Sequence, residues 1–237
     1  MTTITASATT TDPSNRAEAL RKAGWFGLAG SAAYLTTGVL ANIGASIDPA
    51  ESAGDTGRYL ADIEAVAAGH IAYGLAGIAL CLLYVPMAKA TTGLLGGSQR
   101  ARQGTFAIIA GLLALIPAYV ASIVSSGGVV TIARHTAVTD SQLFGLLEAL
   151  DVVSTASFAV GSFLSLGVGP LLWGLAAAGA TPFPRWVRNL FLSLGATGVV
   201  WILPMSTVLI VPLMINVLAS LTAYTALSVV LVRRARS

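Results

Sequence analysis

Between Glu64 and Lys89 lie 24 residues, Ala65 to Ala88, without a formal charge. At 1.5 Å per helical residue they rise about 36 Å, enough to cross a hydrocarbon core of roughly 30 Å with some tilt. The fences have opposite sign, so the run also indicates which of its ends faces the cytoplasm. One histidine, His70, lies inside it. His70, Gly74, Gly77 and Cys81 follow the 4-then-3 spacing that lines up one face of a helix.

The rest of the chain is of the same kind. Of its 237 residues 55% are hydrophobic and 10% charged, with mean hydropathy +0.81. A soluble domain carries about a quarter charged residues, so the composition is that of an integral membrane protein. The net charge of +3 does not point to nucleic acid, because Lys and Arg sit in short clusters beside apolar spans. The single cysteine, Cys81, excludes an intramolecular disulfide and any multi-cysteine metal site. Residues 1–15, MTTITASATTTDPSN, lack the basic and apolar regions of a secretory signal and read as a disordered tail.

Asp12-Pro13 reads as a helix start, and Pro13 to Lys22 as a short cytoplasmic helix carrying Arg16, Arg21 and Lys22. The predicted architecture is an all-α bundle of six transmembrane helices in residues 16–237. The spans run over about 24–47, 65–88, 106–130, 152–178, 189–205 and 208–232. Residues 48–64, 90–105 and 134–151 read as loops. Asp140 is placed to cap a helix there, lying on the membrane surface or extending the fourth span. Pro117 is expected to kink the third span. The 44 uncharged residues from Asn189 to Val232 are about twice one span, and Pro204 to Thr207 is the expected turn.

With the N-terminus inside, eleven of thirteen basic residues fall on the cytoplasmic side, leaving Arg58 and Arg134 outside. That asymmetry predicts a plasma-membrane protein with both termini cytoplasmic. Packing is expected through small residues: Ser157, Gly161, Ser165 and Gly169 on span four, and Gly111, Ala114, Ala118, Ser122 and Ser125 on span three. Together with the His70 stripe, these put spans two to four at the centre. Asn216 and Ser220 mark the packed face of the sixth.

His70 is the leading site candidate. An ionisable group about 8 Å inside a span can face a cavity and respond to protons, or stay neutral and hydrogen-bond a neighbouring helix. Asn42, Ser122, Ser125, Ser126 and Ser154 fall in the same outer halves, either lining a shallow outward pocket or joining helices. Glu148 and Asp151, at i and i+3, form a carboxylate pair at the water boundary, where acids also complement a helix start. No cofactor, metal, nucleotide or hydrolase motif appears.

The opening Gly24-Trp25-Phe26-Gly27-Leu28-Ala29-Gly30, the outer Gly54-Asp55, and Pro182-Phe183-Pro184-Arg185 followed by Gly195 are similar to features of one family. Over about Arg21 to Pro204 the chain resembles the bacterial six-span membrane proteins grouped as domain-of-unknown-function family 4386. The resemblance implies a compact six-helix membrane domain with no established activity, and no residue role comes with it. The expected partners are the lipid bilayer and a small apolar or lipid-like ligand or another membrane protein, bound without catalysis. A small transporter with an outward pocket around His70 is the alternative, and an intramembrane enzyme the third reading.

Overall fold

The computed structural model describes residues 13–44, 56–135, 139–180, 183–202 and 210–236, and among these every regular element is helical. The helices are α1 (Pro13–Gly44), α2 (Thr56–Leu94), α3 (Gln99–Ile123), α4 (Val129–His135), α5 (Asp140–Ser162), α6 (Gly169–Ala177), α7 (Arg185–Ile202) and α8 (Ile210–Arg234). Two π-helical segments, Val124–Gly128 and Phe163–Val168, weld α3 to α4 and α5 to α6. Six rods result among the described residues. Four stretches are long and apolar enough to cross a membrane: Leu60–Leu94, Gln99–Ala133, Ser141–Ala177 and Asn216–Arg234.

The helices are longer than the spans read from hydropathy, because polar flanks carry their own helix signals. Pro13 opens α1, which runs on through Lys22 without a break into the apolar stretch. Most of the expected loop at 90–105 is helix. Gly96 and Gly97 adopt φ of 72° and 62°, and the bonds Gly96 N–H to Gly93 O and Gly97 N–H to Thr92 O close α2. That is the left-handed helix ending glycine favours. Ser98 then caps α3 by accepting from the Ala101 N–H at 3.3 Å. At the other end Thr139, one residue before Asp140, is the cap of α5, and its N–H donates to Gln142 Oε1 at 3.1 Å. Residues 141–151 therefore extend the fourth rod. The Asp12 cap, most of the tail and the Pro204–Thr207 turn lie outside the described residues.

The rods form a closed ring: α1 packs on α2 and α8, α2 on α3, α3 on α5 and α6, α6 on α7, and α7 on α8. Close approaches give an antiparallel register. A Cβ on Gly27 would meet Met87 Sδ at 2.8 Å; one on Gly111 would meet Ser165 N at 2.5 Å and Gly161 O at 2.7 Å. One on Gly174 would meet Leu192 Cγ at 2.7 Å. Small residues let the backbones touch, as in membrane bundles generally. The register gathers Lys22, Lys89, Arg100, Arg102, Arg185, Arg188 and Arg233 at one end, the basic end. Asp62, Glu64, Glu148 and Asp151 lie at the other, the acidic end.

Span four is divided along its length. Its most apolar window buries only 11%, against 39–44% for the other three membrane-length stretches, yet from Gly161 to Ala177 most residues are buried, Trp173 among them. The last helix joins the interior, with Ala223, Tyr224, Leu227, Ser228 and Leu231 all buried. The small-residue stripe of α5 seats one edge of that rod on α3 and leaves Val152, Val153 and Val160 exposed. A stripe marks a contact edge, which need not make its helix central. Pro117 does not end α3; the departure from α geometry comes at Val124, where the ladder shifts to the i−5 bond from Val129 N–H to Val124 O.

Candidate functional site

The expected polar residues share a level. With Gly27 beside Met87 and Gly30 beside Tyr84, Asn42 on α1 stands at the height of Ala72 on α2. With Gly74 beside Tyr119 and Ile123, His70 is level with Ser122, and the α3–α5 register carries that level across to Ser154. One link between helices within this set is a hydrogen bond of 3.4 Å from Ser122 Oγ to the backbone oxygen of His70. Ser125 and Ser126 hydroxyls both turn back to the Ser122 carbonyl, at 3.1 and 2.7 Å, next to the π segment. Those bonds are intrahelical and leave Ser126 buried. Asp151 and Glu148 are exposed on α5, and Ser154 is part-buried. Among the described residues no three His, Cys, Asp or Glu side chains gather where they could hold a metal ion.

Nearer the basic end lies a second polar set, built of hydroxyls and aromatic rings. Ser31 Oγ donates to Gly27 O at 3.0 Å, stands 3.1 Å from the Tyr84 hydroxyl, and accepts from Thr225 Oγ1 at 2.9 Å. Tyr34 and Ser220 hydroxyls pair at 2.8 Å, and Ser228 reaches Met87 Sδ at 3.2 Å. The Trp173 indole donates to Thr105 Oγ1 at 3.0 Å. The rings of Trp173 and Phe191 meet edge-on at 5.5 Å, Phe191 and Tyr224 at 6.1 Å, and Tyr224 and Tyr84 at 5.0 Å. Buried polar groups are costly in an apolar medium unless paired, and this set is paired internally. Asn216 belongs to its edge, donating to Thr197 Oγ1 at 3.0 Å and to Leu194 O at 3.4 Å.

Tyr224 has a further role. Pro170 has no N–H to give to the π segment before it, and the Gly169 N–H is taken by Leu164 O. The Ser165 carbonyl therefore loses its helical donor, and the Tyr224 hydroxyl donates to it instead. An orphaned carbonyl in one rod is answered by a phenol from another. The sequence signals for this seam are three tyrosines set within apolar runs, Tyr34, Tyr84 and Tyr224, and a proline after Ser165-Leu166-Gly167. A search directed at ionisable groups passes over them.

Fold and site together define an all-helical bundle with four helices able to cross a membrane, consistent with a membrane protein. Compared with protein families, with curated proteins and with solved structures, the chain matches none.

Proposed function

We propose that the chain is a six-span protein of the plasma membrane, with α1 and α8 beginning and ending on the cytoplasmic side, that binds a small apolar or lipid-like molecule or a membrane partner without catalysis. Six spans are supported by α1 and α7, which fill two places in the same closed ring as the four membrane-length stretches. The orientation is supported by the basic end. The sequence features read as resembling domain-of-unknown-function family 4386 would imply the same architecture.

One observation carries the binding reading over transport: the half of the ring toward the basic end is filled by interlocked rings and by hydroxyls already bonded to one another. A solute crossing there would have to break that seam. The alternative, an outward pocket for transport, is favoured by the shared level of Asn42, His70, Ser122 and Ser154.

Cysteine accessibility separates the two. In a Cys81→Ala background, His70→Cys and Ser122→Cys are expected to react with a membrane-impermeant thiol reagent from outside. Ser31→Cys and Ser220→Cys are expected to stay unlabelled from either side. Labelling of Ser31→Cys or Ser220→Cys would replace the binding reading with transport.

A further inference from the structure

We propose that the basic end of the bundle is a binding surface for anionic phospholipid headgroups, fixed at its depth by a belt of exposed aromatic rings. This rests on the membrane-spanning reading above. The ring topology brings cations from α1, α3, α7 and the end of α8 to one level although they are far apart in sequence: Arg21, Arg100, Arg102, Arg185, Arg188 and Arg236. Of these, all but the part-buried Arg188 are exposed. Against them stands one described carboxylate, Glu18, which Lys22 engages at 2.7 Å.

Beside the cations stand large rings that the described residues leave mostly exposed. Trp25 is 58% exposed, three residues after Lys22; Phe106 is 75% exposed, four residues after Arg102; Trp186 is 56% exposed and adjoins Arg185. Three helices thus carry cations and an exposed ring in their basic-end portions. Such rings gain most where headgroups meet acyl chains, which is where Trp concentrates in membrane proteins. Guanidinium groups fork onto phosphate oxygens, and basic residues beside an anionic leaflet are drawn to it. The cations run around the circumference and do not converge in one pocket. The matching partner is therefore equally extended: an annulus of headgroups in one leaflet.

The test compares the full chain in nanodiscs of phosphatidylcholine alone and of phosphatidylcholine with phosphatidylglycerol in equal parts. The thermal midpoint is expected to rise in the anionic disc, and the rise to shrink as salt is added. Arg100→Gln, Arg102→Gln, Arg185→Gln and Arg188→Gln together should remove most of it. Because that variant could lose fold, native mass spectrometry of the unmodified chain supplies a second reading, with retained phosphatidylglycerol enriched at least ~threefold over phosphatidylcholine. Equal midpoints and equal retention, with the chain inserted in both discs, would overturn the headgroup surface and leave the spanning reading intact. Reproduction of the rise by inorganic phosphate in the neutral disc would overturn it in favour of a free-anion site. Failure to insert in either disc would overturn both readings.

Discussion

Toward the basic end Trp173, Phe191, Tyr224 and Tyr84 meet ring to ring through the middle of the bundle, with hydroxyls from α1, α2 and α8 bonded around them. Toward the acidic end, among the described residues, a separate and much smaller buried cluster consists of Ile63, Val129, Leu143 and Leu147. One half is interlocked by specific bonds between distant segments. In the other, among the described residues, a small aliphatic cluster lies under a level of polar side chains. The bonds between distant segments assign stiffness to the basic half.

The comparison can be broken by mutation, with unfolding followed in bicelles. Trp173→Ala is expected to cost most, about 3–5 kcal/mol, since it empties the largest buried side chain and removes the indole donor to Thr105. Leu147→Ala, at the opposite end, should cost about 2 kcal/mol; equal losses would show the halves to be alike. Gly111→Val drives a side chain into the Gly161–Ser165 backbone and should cost about 1–3 kcal/mol. Tyr224→Phe keeps the ring and removes the donor to Ser165, for about 0.6–1.7 kcal/mol. His70→Ala should cost about 1 kcal/mol or less, while altering any ligand retained on purification.

The smallest effect concerns Glu18. Its hydrogen bond and attraction to Lys22 hold its carboxyl below the usual range, so the pair contributes above the ordinary carboxylate pKa and is lost as pH falls through the depressed value. Both groups are exposed, and Glu18→Gln should leave the unfolding midpoint at neutral pH unchanged. A clear drop would mean that the basic end is more rigid than its exposure suggests.

Helical class and the cores of the membrane-length stretches were legible because long uncharged runs and clustered Arg and Lys are one-dimensional signals. Contact edges were legible too: Gly111, Gly161 and Ser165 do touch. The place of each rod in the ring was not. Ser157, Gly161, Ser165 and Gly169 advertise a close contact, and the rod is buried from Gly161 to Ala177 while its outer half, at Val152, Val153 and Val160, stays exposed. Helix ends were misjudged where polar flanks continued as helix, as at Thr56 to Glu64 and Gln99 to Thr105. The tyrosine seam was hidden for another reason. Tyr224 matters because Pro170 disarms a carbonyl 59 residues away in sequence, a relation that no local spacing encodes.

The ring closes between α1 and α8, and this gives the protein a history as well as a shape. Ser31 waits for Thr225, and Tyr34 for Ser220, across 194 and 186 residues of chain. At about 5–20 residues per second the ribosome takes roughly 10–40 s to supply the missing helix. Through that interval Tyr34 lacks Ser220, and Ser31, already bonded to Gly27 O, lacks Thr225. A nascent chain of this design needs a sheltered, partly wet passage into the bilayer until its last helix arrives.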